Sequence, residues 1–183
     1  MPALIDSLTP SHLVDAFDQW NMGHIDHATY CRLEFIRLHE SQLRGVAAGD
    51  LFDQPMVDSL MARCALAGLH LLFGQLEASH AISQSIEAPV GSYWHAIMHR
   101  LEGDYGNSKY WYRRAATHPL MEKLAEQYPG YPDRWVDQIA SAQAAPGSTT
   151  PPVAPRASGE WRRLFDDCRQ AAVGHVHRSG GTP

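Results

Sequence analysis

No run of the chain approaches the ~20 successive apolar residues that a membrane-spanning helix needs. The opening, MPALIDSLTPSHL, has neither the basic start nor the apolar middle of a secretory signal. Charge is scarce as well: charged residues make up 19 % of 183 positions and leave a net charge of -5. That is no field with which to gather nucleic acid or anionic lipid, so nucleic acid is a poor partner and any anion site must be local. The three cysteines, Cys31, Cys64 and Cys168, are odd in number, far apart and set among apolar neighbours at helical spacing. They read as small buried thiols and not as disulfides or a metal cage. Also missing are a G-x-S-x-G elbow, a C-x-x-C pair, a P-loop lysine and a glycine-rich dinucleotide loop, which removes the common nucleophilic and nucleotide-binding designs. The two-residue alternation of a half-buried strand is not sustained anywhere. What remains is an all-α chain, expected to be soluble and cytoplasmic, whose 44 % hydrophobic residues suffice for one core.

Helical periodicity and punctuation divide that chain. Thr9 and Pro10 predict a first helix carrying Leu13, Val14, Phe17 and Trp20 inward. Asp26 is expected to cap a longer second helix running to Gly49, and Pro55 to open a third that Gly74 stops. Further helices are predicted over 77–86, 92–102, 107–117, 120–127 and 133–140. Residues 1–143 thus form a helical domain, and 144–159, rich in Pro, Ser and Ala, read as a linker. Residues 160–173 form an amphipathic helix with Trp161, Leu164, Phe165, Cys168 and Ala172 in one stripe. Such a helix must dock, on its own chain or on a second copy, whereas 174–183 is expected to fray.

A shift of 29 residues lays His70 over His99, Gly74 over Gly103 and Ser79 over Ser108. Two helix pairs therefore share one plan, with glycine at each reversal and a small residue at each close approach. The second copy, GDYGNSKYWYRRA followed by Pro119, resembles the second helix of a tetratricopeptide repeat. That resemblance implies an antiparallel hairpin stack, here capped by the N-terminal helices and the Trp161 helix. The phrases YWHAIMHR, GDYGNSKYW and EWRRLFDDC are also similar to wording shared by a group of uncharacterised bacterial and fungal proteins, a likeness that brings no activity with it.

Chemistry concentrates between Gly91 and Pro119, which hold two of the five tryptophans, four of the seven tyrosines and three histidines. His95, His99 and Glu102 share one helix face at i, i+4 and i+7. If the first helices of the two pairs run side by side, His70 comes within roughly 10 Å of His99. His70, His95, His99 and Glu102 then form a candidate divalent metal set of zinc type. The plain alternative is that these histidines hydrogen-bond carbonyls and tyrosines between helices. On the next helix Lys109, Arg113 and Arg114 make a basic edge with Tyr110. Arg100 across the turn and His118 at the end are expected to extend it into a site for a carboxylate or phosphate. The dipole at a helix C-terminus is the ordinary explanation of the same cations. The first functional expectation is therefore a helical interaction module for a partner protein or a small anionic ligand, with no resident cofactor. The second is a metal-dependent or acid/base enzyme using the His/Glu cluster with Tyr93 or Tyr110 nearby. The third is a purely structural protein that acts by assembly, a homo-oligomer included.

Overall fold

The computed structural model describes residues 3–22, 25–144 and 157–174. Among them are eleven α-helices and two short 3-10 turns, with no strand. Helices α1 (Leu4–Ser7), α2 (Ser11–Asn21), α3 (His27–Cys31) and α4 (Glu34–His39) form the N-terminal part, closed by 3-10 turns at Glu40–Leu43 and Ala48–Leu51. Then come α5 (Ser59–Leu72), α6 (Leu76–Ser83), α7 (Pro89–Glu102), α8 (Tyr105–Arg114), α9 (Pro119–Gln127), α10 (Asp133–Ala144) and α11 (Ala157–Val173).

Local chemistry sets most of these boundaries. The carboxylates of Asp58 and Asp104 accept the backbone N–H of Met61 and Asn107, so α5 and α8 begin with capped orphan donors. Pro89 and Pro119 sit in the first turns of α7 and α9, where a missing N–H does no harm. Gly74 and Gly103 reverse the chain with φ of +70° and +89°, values that side-chain-bearing residues rarely adopt. Consecutive helices from α5 to α8 pack each on the next. The seryl residues that permit close approach, Ser79 and Ser108, are fully buried, and the Ser108 hydroxyl donates to the Ala96 carbonyl at 2.8 Å.

Four expectations need correction. The long helix from Asp26 to Gly49 is broken at Arg32 and Leu33 into α3, α4 and a 3-10 turn. Tertiary anchors decide this: the Tyr30 hydroxyl donates to the Leu72 carbonyl at 2.5 Å, and His27 Nε2 lies 2.9 Å from the Gly74 carbonyl, pinning α3 to the end of α5. The third helix starts at Ser59 rather than Pro55, and α7 starts at Pro89, three residues before the helix expected from 92. All three cysteines are free, but Cys31 is only half-buried, with its sulfur 3.2 Å from His27 Nε2.

The last helix docks on its own chain, against α5 and α2, and begins at Ala157, so the end of the expected linker is helical. Residues 145–156 of that linker and 175–183 of the expected tail lie outside the described residues. Trp161 and Phe165 enter a core shared with Phe17 and Trp94, and the Trp161 indole donates to the Gly68 carbonyl at 3.1 Å. No described helix is long and apolar enough to cross a membrane.

Candidate metal centre

The packing of α6 on α7 brings three imidazoles together. His95 and His99 stand one turn apart on α7, and His80 reaches them from α6. One ligating nitrogen from each lies within 4.8 Å of the others. The His95 and His99 rings are stacked with centroids 4.8 Å apart, and His80 meets both edge-on at 4.7 and 5.6 Å. On its other side His95 stacks on Trp111 of α8 at 4.0 Å, and the Arg114 guanidinium carbon is 5.3 Å from that indole. His95 is 3 % exposed, and neither of its nitrogens has a hydrogen-bond partner among the described residues. A buried polar group left so costs about 1–3 kcal/mol. His99 differs: its Nδ1 donates to Glu102 Oε2 at 3.1 Å, which leaves Nε2 as the free ligand atom.

The expected metal set is thus changed in two members: Glu102 faces the Nδ1 of His99 instead of the cluster, and His80 stands where His70 was expected. His70 is not with His95 and His99; its Nδ1 lies 2.6 Å from Gln75 Oε1 on the far side of the first hairpin. Because α6 lies between α5 and α7, the residue facing α7 comes from α6. The signal for His80 was present: with Leu76, Ser79 and Ser83 it occupies i, i+3, i+4 and i+7, the inward face of α6.

The expected anion edge does not assemble. Lys109 pairs with Asp137 at 2.5 Å, and Arg113 reaches Asp133 at 3.9 Å. His118 is buried, where its Nδ1 accepts the Leu120 N–H at 3.2 Å and caps α9. Tyr110 remains at the surface, 46 % exposed, and Arg114 lies on Trp111.

Arg100 departs furthest, being only 1 % exposed at the centre of the molecule. Its guanidinium donates to Glu160 Oε2 at 2.6 Å, to Asn21 Oδ1 at 2.9 Å and to the Tyr112 hydroxyl. Glu160 Oε1 accepts from Tyr112 at 2.7 Å and Tyr131 at 2.5 Å, and Tyr93 in turn donates to Tyr131 at 2.7 Å. Burial pushes the three phenols well above their ordinary range, so they stay protonated donors. Burial also opposes the Arg100 charge, but Glu160 overrides it and holds the guanidinium protonated. Every part of this cluster is sealed in the core. It acts as a clamp joining α2, α7, α8 and α11, and it was missed because its two charges are 60 residues apart. Glu160 could have been noticed, since it lies four residues before Leu164 on the apolar stripe of α11.

The sequence matches no protein-family model and no curated protein, and the fold matches no solved structure.

Protonation offers a first check on the histidine cluster. Burial, then the neighbouring His99 and His80, push the His95 imidazole down to about 4. The unfolded chain therefore takes a proton near pH 6.5 that the folded chain refuses until about pH 4. Stability is full above pH 6.5 and falls as the pH falls across that window, by up to roughly 3 kcal/mol from His95. His70 and His118, lowered by burial, act in the same direction. Urea unfolding of metal-free protein at a series of pH values measures the slope. In His95→Gln most of it should vanish; an unchanged slope would show that another group carries it.

Proposed function

We propose that the protein binds a divalent ion of the zinc class through His80, His95 and His99, and that the ion's remaining position takes water or a small anionic ligand. The observation that carries this reading is the convergence of three ligating nitrogens on a buried His95 whose ring nitrogens are both unspent. Imidazole nitrogen suits zinc, copper and nickel better than magnesium or calcium. Tetrahedral zinc with bonds of ~2.1 Å holds its nitrogens about 3.4 Å apart, so rotations moving each ring by about an ångström close the present triangle. Glu102, 53 % exposed in its side chain, fixes the tautomer of His99 as outer-shell carboxylates do. Trp111 covers one face of His95 and keeps water from it. Arg114, which has no ion pair among the described residues and lies on the Trp111 ring that stacks on His95, is the nearby forked donor for a carboxylate or phosphate. When bound, such an ion lowers the pKa of its water toward ~7 or polarises a carbonyl or phosphoryl oxygen, which places hydrolysis or hydration within reach of the site.

A second reading, an interaction module for a partner protein, draws on the exposed Tyr110 beside Trp111 at the same edge. Untagged protein stripped with chelator and titrated with zinc or cobalt separates the two. One equivalent should bind, with the visible cobalt spectrum of a tetrahedral site. Replacing His80, His95 or His99 by alanine should weaken binding on the order of 100-fold or more, and Glu102→Gln about 10- to 100-fold. His70→Ala should change nothing. Absence of stoichiometric binding, or equal loss in His70→Ala, rejects the metal site.

A further inference from the structure

A second place of unexplained polarity lies on the opposite side of α6. A cavity of about 530 Å³ opens between the turn that begins at Glu40 and the first helical hairpin. Leu43, Val46, Leu66 and Ile82 give its lining an aliphatic side, and four polar side chains share the rest: Glu40, Arg44, His70 and Gln75. No Phe, Tyr or Trp ring lines it.

The state of His70 follows from its neighbours. The Gln75 amide nitrogen donates to the Glu40 carbonyl at 3.2 Å, which turns the amide oxygen toward His70, 2.6 Å from its Nδ1. An oxygen there requires the hydrogen on Nδ1, so Nε2 is the bare acceptor left for a ligand. The two charges on the lining are opposite in sign. Neither Glu40 nor Arg44 has an ion pair among the described residues.

We infer that this cavity binds an aliphatic α-amino acid, with the carboxylate on Arg44, the ammonium shared by Glu40 and His70 Nε2, and the side chain against Leu43, Val46, Leu66 and Ile82. Each simpler ligand fails on one count. A fatty or keto acid leaves Glu40 facing a carboxylate, an alkylamine leaves Arg44 without an anion, and a phosphate is repelled by Glu40. An aromatic amino acid finds no Phe, Tyr or Trp ring to pack on, whereas an aliphatic chain gains about 0.8 kcal/mol for each methylene it buries. The zwitterion is the one small head group that answers both charges, and Arg44 supplies the fork that a carboxylate needs. This site is independent of the metal centre: it uses the opposite side of α6 and none of its histidines.

Calorimetry and thermal unfolding of the full chain with L-leucine, L-valine, 4-methylpentanoate and isoamylamine test it. Leucine and valine should bind saturably and raise the melting temperature, and the acid and the amine should bind at least tenfold more weakly. Glu40 and Arg44 are exposed, so Arg44→Ala and Glu40→Gln will fold; each should lower leucine affinity at least tenfold. His80→Ala should leave leucine binding intact. The inference is overturned if leucine produces no saturable heat, if the acid or the amine binds as well, or if Arg44→Ala binds leucine like the parent.

Discussion

Replacing Glu160 by alanine is expected to destabilise the fold by about 3–5 kcal/mol, a large part of the ~5–15 kcal/mol that holds such a domain together. The loss does not come from an ion pair of great intrinsic strength. Desolvating two charges offsets most of their attraction, so the pair itself contributes little relative to a well-packed apolar substitute. It comes from what the substitution leaves behind. Arg100 stays buried and charged, and Tyr112 and Tyr131 lose the acceptor to which both hydroxyls point. Three donors and a full charge then lack a partner in the core. Glu160→Gln keeps the shape and one accepting oxygen but puts an amide donor in place of the other and loses the charge, so it should fall between the parent and the alanine variant. Removing both charges together, as Arg100→Met with Glu160→Leu, should recover most of the loss. Urea unfolding of these proteins, with Arg100→Met and Glu160→Leu alone to close the double-mutant cycle, measures each loss. An alanine variant within 1 kcal/mol of the parent would mean that the cluster is hydrated in solution and that α11 is held by its apolar stripe alone.

That cycle also marks where the sequence stops being readable. Elements whose causes are local were legible: Asp26 at a helix start, glycine at the two hairpin reversals, and the stripe from Trp161 to Ala172. The continuous helix predicted from Asp26 failed because nothing local breaks it; the break follows from Tyr30 and His27 reaching the end of α5. The same division runs through the candidate site. His95, His99 and Glu102 stood out because they lie on one helix face. His80 did not, because pairing the hairpins in register puts His70 beside His99 and ignores the helix lying between them. Arg100 looked like a surface cation because the carboxylate that buries it arrives from a helix 60 residues away. Patterns with periods of three and four residues report which face is inward, and they are silent about which inward faces meet.

Trp161→Ala should be as damaging as the loss of Glu160, at about 3–5 kcal/mol, for a different reason. The indole is nearly fully buried, stacked on Phe165 at 4.6 Å and meeting Phe17 and Trp94 at 5.5 and 6.4 Å. Its floor is Gly68, where an added Cβ would come within 2.8 Å of the Trp94 ring and 3.0 Å of Phe165. The glycine lets α5 approach this closely and leaves its carbonyl free to accept the indole N–H. Removing the ring therefore opens a cavity between rigid neighbours that cannot collapse into it. Glu160 and Trp161 are adjacent on α11, so their losses are not independent. Once either is gone, the cheapest response is for α11 to leave the groove as a unit, and the second substitution then has little left to remove. The Glu160→Ala, Trp161→Ala double variant should consequently lose markedly less than the two single effects combined. Hydrogen exchange should show early opening of α11 and of Val57 and Asp58, whose N–H groups bond to the Ala172 carbonyl at 2.8 and 3.2 Å. The zinc affinity of the Trp161→Ala protein should remain that of the parent, because α6 and α7 supply all three histidines without α11. Full additivity with global opening would instead show that the helix is inseparable from the core, and would turn every substitution along its stripe into a test of the whole fold.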